Sequence, residues 1–258
     1  MKGKTMNVET IRTQFKQLRL ATAASELDEV LTSHKKAVSL TWLSDLLDRE
    51  LSARKENSLK LRIKQAGFPE ITTLENFNWA FNPDIDEKKI RALAELAFVE
   101  ENGIALFLGK PGTGKSHCAL AIGIIAATKG HRVFWTSCKK LAAQITLATR
   151  RGTLDQLYKR ILSSKLWIID DWGVVTMNRE VSEEVFDLLD RRKHSSAMIL
   201  TSNRAVEEWG EVFPEPVLAS CTIDRMFENA EIAIFKGDSY RLKGRIKTKE
   251  IDTETQTT

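Results

Sequence analysis

The stretch Gly109-Lys110-Pro111-Gly112-Thr113-Gly114-Lys115-Ser116 decides the fold of this chain. It fits the phosphate-loop pattern G-x-x-x-x-G-K-[ST], in which glycines let consecutive backbone N–H groups face inward around phosphate oxygens. In this pattern Lys115 reaches the β- and γ-phosphates of a nucleotide, and the Ser116 hydroxyl is a ligand for Mg²⁺. The stretch therefore predicts a binding site for ATP and Mg²⁺.

The residues on either side of this loop predict a strand before it and a helix after it. Residues 104–108 are an apolar run of buried-strand length, and residues 118–128 are uninterrupted helix formers. The N-terminus of that helix would lie at the phosphates, where backbone N–H groups favour an anion. A glycine-rich loop that matched the pattern by chance would not be expected between such a strand and such a helix.

A second diagnostic segment, residues 166–171, is an apolar strand that ends in Asp170 and Asp171. Ligands bind at the carboxyl ends of strands in open α/β sheets, so both carboxylates are expected at that edge. Asp170 is placed to hold Mg²⁺ through its water shell, and Asp171 to orient or deprotonate the attacking water.

A third strand is predicted over residues 197–203, and it ends at Asn203. If this strand lies between the P-loop strand and the acid-ended strand, Asn203 can hydrogen-bond the attacking water or the γ-phosphate. An asparagine that merely occupies a turn is the alternative. We also expect a strand over 132–137, a last short strand over 232–235, and helices over 86–101 and 217–229.

The chain divides into four segments by composition. Residues 1–66 predict a bundle of about three helices, for which helical spacing of residues such as Leu43, Leu46 and Leu47 gives the apolar face. Residues 67–84 predict a linker, 85–248 an ATPase domain, and 249–258 a disordered polar tail. The continuation of the bundle, residues 49–64, is strongly basic; it is either a solvated face or a contact for nucleic acid.

Aromatic residues alternate in the linker at Phe77, Trp79 and Phe81. Because they precede the P-loop, they could form the floor of an adenine site, although packing in the core is the favoured explanation. The sequence leaves both interpretations open.

Bulk composition is that of a globular protein, with 42% hydrophobic and 29% charged residues and a net charge of +4. The longest apolar run, 118–127, is too short to cross a bilayer, and the N-terminus lacks an apolar signal-peptide region, so we expect a cytoplasmic protein without a membrane partner. Cys118, Cys138 and Cys221 are expected to be reduced, buried thiols.

The helical segment over residues 139–162 carries many more basic than acidic side chains. This density is high for a surface helix pair, and it predicts contacts with DNA phosphates that do not depend on base sequence. The candidate contacts are Lys139, Lys140, Arg150, Arg151, Lys159 and Arg160.

The order of phosphate loop, acid-ended strand and Asn-ended strand resembles the AAA+ ATPases, and within them the initiator and loader clade that includes DnaA and DnaC. From about Leu18 to Lys243 the chain is most similar to the IstB family, the ATP-dependent helpers of insertion-sequence transposition. The implied fold is α/β, with a five-stranded parallel sheet flanked by helices and a small N-terminal helical domain. Besides the segments already quoted, the resemblance is carried by Leu46-Leu47-Asp48-Arg49-Glu50, Thr201-Ser202-Asn203-Arg204, Glu208-Trp209-Gly210, Asp224-Arg225-Met226 and Ser239-Tyr240-Arg241-Leu242.

Two further roles come from the resemblance alone. Arg225 looks like the arginine finger, which a neighbouring subunit inserts toward the γ-phosphate. Arg241 looks like the second sensor, which contacts the same phosphate within its own subunit. Many AAA+ proteins have Glu where this chain has Asp171, and the shorter side chain predicts slow turnover, as suits a switch.

The function that follows is an ATPase that assembles on duplex DNA as a ring, spiral or filament and presents deformed DNA to a transposase. A DnaC-like helicase loader is the alternative, and it would prefer single-stranded DNA. A small-molecule kinase would need an acceptor pocket and a mobile arginine lid, neither of which the sequence predicts. A DNA-binding scaffold with an inactive ATP site would tolerate Lys115→Ala.

Overall fold

The computed structural model describes residues 8–33, 39–193 and 195–243. The predicted tail, 249–258, lies outside them. Residue contacts divide the chain into two compact units, Met1–Leu61 and Arg62–Thr258, with the division inside one long helix.

The first unit contains α1 (Val8–Gln17), α2 (Ala21–Ser33) and most of α3 (Thr41–Ala66). Its small core is formed by apolar side chains from all three helices and the turn after α1: Ile11, Leu18, Leu27 and Leu47. A buried amide crosses this core, since Gln14 bonds to the Ser44 hydroxyl at 2.9 Å and to Asp48 at 2.7 Å. Leu46 follows the predicted apolar spacing but is 56% exposed, so the helical face is narrower than the sequence suggests.

The second unit contains a sheet of five parallel strands in the order β2-β3-β4-β1-β5. The strands are β1 (Ile104–Gly109), β2 (Val133–Ser137), β3 (Leu166–Trp172), β4 (Ala197–Ser202) and β5 (Ala230–Phe235). The predicted fold class is confirmed, and β4 lies between β1 and β3 as the placement of Asn203 required. All five carboxyl ends consequently meet at one edge of the sheet.

Helices cover both faces of this sheet, as the uninterrupted apolar sequences of its inner strands require. Alternate residues of each strand belong to two separate cores: Leu106 and Trp167 pack beneath α7 to α10, whereas Phe107 and Ile168 pack beneath α4 to α6. The helices are α4 (Glu87–Ala94), α5 (Ala97–Glu100), α6 (Lys115–Thr128), α7 (Cys138–Arg151), α8 (Leu154–Leu162), α9 (Arg179–Arg192) and α10 (Pro216–Phe227).

Two sequence expectations are corrected by the fold. The single helix expected over 86–101 is broken, because Leu96 adopts a left-handed φ of 74° between α4 and α5. Cys118 and Cys138 are buried as free thiols, but Cys221 is exposed on α10. Among the described residues, no helix has both the length and the apolarity needed to span a membrane.

Candidate nucleotide site

The phosphate loop connects the end of β1 to the first residue of α6, so the N-terminus of α6 points into the loop. Lys115 is only 4% exposed, and its ammonium group donates to the carbonyls of Gly109 at 2.8 Å and Lys110 at 2.7 Å. Burial lowers the pKa of Lys115 to about 8, although the nearby carboxylates of Asp171 and Asp170 act in the opposite direction. The loop therefore holds a cation whose solvation is incomplete and which an incoming phosphate would stabilise.

The end of β3 brings Asp170 against the phosphate loop. One carboxylate oxygen of Asp170 accepts from the Ser116 hydroxyl at 2.6 Å and from the Thr201 hydroxyl at 2.6 Å. One hydroxyl from the start of α6 and one from the end of β4 thus hold a single carboxylate in place. This pairing of a carboxylate with a hydroxyl is the ligand set that Mg²⁺ shares with nucleotide phosphates.

Asp171 points to the same site as Asp170, although consecutive strand residues normally face opposite sides of a sheet. The pairing of β3 with β4 is irregular here, and Asp171 has a left-handed φ of 55°. A bulge of this kind redirects a side chain. The Asp171 carboxylate accepts from the Asn203 amide at 3.0 Å, and its pKa is raised, first by burial and then by the charge of Asp170.

A cavity of about 280 Å³, which we call the P-loop pocket, opens above these groups. Residues from the loop line it together with Asp171, Asn203 and Arg241. On its other side lie polar and aromatic side chains of the segment before the sheet: Asn76, Phe77, Asn78, Phe81 and Asn82.

The alternating aromatic residues of the linker have different positions. Phe77 and Phe81 line the P-loop pocket, and Phe77 and Trp79 pack against the core of the sheet. The Phe77 ring contacts the His117 ring, with centroids 5.4 Å apart. The core-packing interpretation is therefore confirmed for Phe77 and Trp79, and an adenine site at Phe77 and Phe81 stays a prediction.

The chain after β5 folds back over the phosphate loop and carries Arg241 to the pocket. Asn82 clamps this return segment, because its amide donates to the Asp238 carbonyl and its oxygen accepts from the Asp238 N–H, both at 3.0 Å. Gly237 makes the clamp possible: its φ is 106°, and a Cβ there would lie 2.2 Å from the Asn82 oxygen. The Tyr240 N–H then donates to the Gly112 carbonyl at 2.9 Å.

Arg225 does not line the P-loop pocket of its own chain. It lies on α10, 37% exposed, and its guanidinium contacts Asp190 at 3.1 Å and Glu228 at 3.8 Å. This position is compatible with a role at the nucleotide site of another subunit, but not with a role at the P-loop pocket of the same chain.

The six candidate DNA contacts fall into two groups, one at the start of α7 and one at the ends of α7 and α8, where Arg151 and Arg160 line the same groove. Lys139 and Lys140 begin α7 at the carboxyl edge of the sheet, where Lys140 lies over the Trp135 ring at 5.8 Å. Arg150 and Arg151 end the same helix, and Lys159 and Arg160 end α8. A helix of 14 residues separates its ends by about 20 Å, so the six do not form one patch.

Sequence reasoning did not assign roles to Thr201 or Asn82. The Thr201 hydroxyl accepts from the Asp171 N–H at 3.0 Å while donating to Asp170, so it organises both acids. The sequence signal available for Thr201 was its position two residues before Asn203. Asn82 is 156 residues from its partner Asp238, and no local pattern connects them.

The parallel sheet has β4 between β1 and β3, a phosphate loop follows β1, and acidic and asparagine side chains lie at neighbouring strand ends. These features define a P-loop NTPase of the AAA+ type. The chain belongs to the family described as IstB-like ATP binding protein, whose sequence model matches residues 13–248.

Relatives from insertion sequences match most of the chain. It is 38% identical over 206 residues to the IS21 ATP-binding protein of Pseudomonas aeruginosa, covering 80% of this chain and 78% of that protein. It is 32% identical over 219 residues to the IS5376 ATP-binding protein of Geobacillus stearothermophilus, covering 85% and 87%.

Solved structures with the same fold include DnaI, at a TM-score of 0.55 and 20% identity, covering 64% of this chain and 91% of DnaI. AMPPCP-bound DnaA from Aquifex aeolicus gives a TM-score of 0.55 at 22% identity, covering 68% of this chain. The match spans only 53% of the DnaA chain. These likenesses establish the shared fold.

Proposed function

We propose that the chain binds and hydrolyses ATP with Mg²⁺, assembles on DNA, and assists the transposase of an insertion sequence. The observation that carries the ATPase part is the convergence of Ser116, Asp170 and Thr201 in one hydrogen-bonded group beside Lys115. A cation, a magnesium ligand set and a second carboxylate thus lie at the mouth of one pocket.

The residues at this site have separable roles in the proposal. Backbone N–H groups of residues 109–116 surround the phosphates, and Lys115 contacts the terminal ones. Ser116 and Asp170 would hold Mg²⁺, which supplies positive charge to the phosphate oxygens as the bond breaks. Asp171 orients the attacking water and accepts its proton, and the Asn203 amide positions the Asp171 carboxylate.

The remainder of the nucleotide has a suitable surface in the same pocket. Phe77 and Phe81 offer ring faces, and Asn76 and Asn78 offer amide groups for hydrogen bonds to a base. Arg241 reaches the pocket from the clamped return segment and would contact the γ-phosphate. Arg225 would act on the site of a neighbouring subunit, which requires it to leave Asp190.

The transposition part rests on the family. The relatives from Pseudomonas aeruginosa and Geobacillus stearothermophilus are named as ATP-binding proteins of insertion sequences. An ATP-dependent assembly must have different affinities for DNA in its ATP and ADP states, because a nucleotide that binds both states equally changes nothing. Hydrolysis would then dismantle the assembly and release the DNA.

The test is assembly of the full chain on duplex DNA, measured by light scattering and electron microscopy with ATP, with ADP and with the Arg225→Ala variant in ATP. We expect assembly only for the unmodified chain in ATP. Lys88→Ala, an exposed lysine on α4, is the control variant and should assemble normally. Equal assembly in all conditions would contradict the nucleotide switch.

A helicase loader is the second candidate, because the fold is shared with DnaI and with DnaC, the latter at a TM-score of 0.50. Competition between unlabelled single-stranded and duplex DNA separates the two functions. Preference for duplex DNA supports the transposition helper, and preference for single strands supports the loader.

A further inference from the structure

A second cavity in the ATPase unit is lined by basic side chains and lies at the end of the sheet away from the nucleotide site. We call it the β2 basic pocket; it has a volume of about 300 Å³. Arg132 precedes β2 and Ser164 precedes β3, so the pocket lies at the amino ends of these strands. The P-loop pocket lies at their carboxyl ends, which makes the two sites distinct.

Four cations from three separate segments line the β2 basic pocket. Arg62 and Lys64 come from the last turns of α3, Arg132 from the start of β2, and Arg160 from α8. No acidic side chain lines it within the described part of the chain. Like charges brought together by different elements repel one another, so the arrangement favours an anion from outside.

Two of these cations are held in position by contacts with uncharged groups. Arg62 donates through Nε to the Ala127 carbonyl at 2.8 Å, and the Arg160 guanidinium lies 5.0 Å from the centre of the Phe134 ring. Within residues 8–33, 39–193 and 195–243, no acid within 4.0 Å pairs with Lys64, Arg132 or Arg160. The nearby Glu100 contacts His131 and Lys165 instead.

The basic surface continues beyond the pocket along α8. Arg160 also lines a neighbouring groove between α7 and α8, where Arg151 lies with the polar side chains of Gln144 and Gln156. A row of cations that joins two adjacent cavities matches a ligand with repeated phosphates better than a single free anion. Phe134 is 3% exposed, so the pocket offers no aromatic face on which a base could stack.

We propose that the β2 basic pocket binds a phosphodiester group of duplex DNA, with Lys64, Arg132 and Arg160 as its contacts. This inference rests on the proposed DNA-bound assembly and adds a site to it. Only Arg160 belongs to the basic segment recognised from sequence, because Lys64 and Arg132 are brought to it by the fold. Contacts of this kind hold the backbone without reading bases.

The experiment measures binding of the full chain to a fluorescein-labelled duplex by anisotropy, in ATP, over a series of NaCl concentrations. Lys64→Gln and Arg132→Gln should each weaken binding roughly three- to tenfold and reduce the slope of log K against log salt by about 0.9 per bound subunit. Arg132→Lys keeps the charge and should restore most of that slope. Lys88→Gln removes the same charge elsewhere on the unit and should leave the slope unchanged.

The possible outcomes separate this inference from the proposed function. If the unmodified chain binds duplex DNA but both glutamine variants keep its slope, or if Lys88→Gln lowers it equally, the pocket assignment is wrong. A pocket that takes a free anion would instead let inorganic phosphate stabilise the chain against thermal unfolding. That stabilisation would be lost in the Lys64→Gln/Arg132→Gln double variant while the salt slope of DNA binding stayed unchanged, and this result too would overturn the inference. Failure of the unmodified chain to bind DNA in any nucleotide state would contradict the proposed function together with this inference.

Discussion

The two ends of the parallel sheet differ in whether their cations lie beside acidic side chains. At the carboxyl ends, Lys115 and Arg241 lie with Asp170 and Asp171, and the acids are held by hydroxyl and amide donors. At the amino ends of β2 and β3, the cations of the β2 basic pocket have no lining acid among the described residues. One end is organised for a small ligand that enters a balanced network, and the other for an anion supplied by a large partner.

Lys115→Met should have the largest effect. It should weaken nucleotide binding at the carboxyl ends of the strands without affecting the β2 basic pocket at their amino ends. Loss of the buried cation removes the main phosphate contact, so we expect ATP affinity to fall at least about 100-fold, which is roughly 2.7 kcal/mol. Isothermal titration with ATP and Mg²⁺ measures the change, and Lys88→Met is the matched control. DNA binding measured without nucleotide should equal that of the unmodified chain under the same conditions; weaker binding would show that the two ends are not independent.

Asp171→Asn should affect hydrolysis without affecting binding. The amide has nearly the same shape but cannot accept the proton of water, so we expect kcat to fall about 100-fold or more. ATP affinity should change by less than about threefold, because Asp171 neither binds the phosphates nor ligates the metal in our proposal. Steady-state phosphate release and nucleotide titration test the two halves. A normal kcat would assign the proton to another group.

The buried cation should make ATP affinity depend on pH. The pKa of Lys115 is about 8 in the nucleotide-free chain, below its usual 10.5, and phosphates favour the protonated form. Affinity should therefore be constant well below pH 8 and fall as pH rises through it, by at most about tenfold per unit. Lys115→Arg stays protonated throughout, so its affinity should show no such fall. Identical pH profiles for both proteins would contradict the role of Lys115.

Asn82→Ala tests whether the carboxyl end works as one unit with the return segment. Loss of both bonds to Asp238 would loosen the backbone that carries Arg241, and we expect kcat to fall roughly three- to tenfold with a smaller change in KM. The double variant Asn82→Ala with Arg241→Ala should be no slower than Arg241→Ala alone. Additive losses would mean that Asn82 acts independently of Arg241.

Much of the fold followed from the sequence, because the features that decide it are local. The glycine loop, the apolar runs and the polar residues that end them define β1, β3 and β4 and the edge where Asp171 and Asn203 meet. Other features depend on contacts between distant segments. The pairing of Asn82 with Asp238, the grouping of Lys64 with Arg132, and the exposure of Leu46 and Cys221 are all set by tertiary packing.

For the candidate site, the side-chain types could be predicted from the sequence more fully than their arrangement in space. Side-chain types and strand ends indicated the roles of Lys115, Asp170 and Asp171, whereas Arg225 and Arg241 had only a family resemblance behind them. Arg241 lies in the pocket, and Arg225 lies outside it in an ion pair with Asp190.

The left-handed backbone at residue 171 limits which side chains this position accepts. Aspartate and asparagine tolerate that conformation better than longer side chains do. Replacing Asp171 with Glu would place a less suitable residue in the bulge as well as extending the carboxylate. Glu at this position would require the neighbouring backbone to be rebuilt with it.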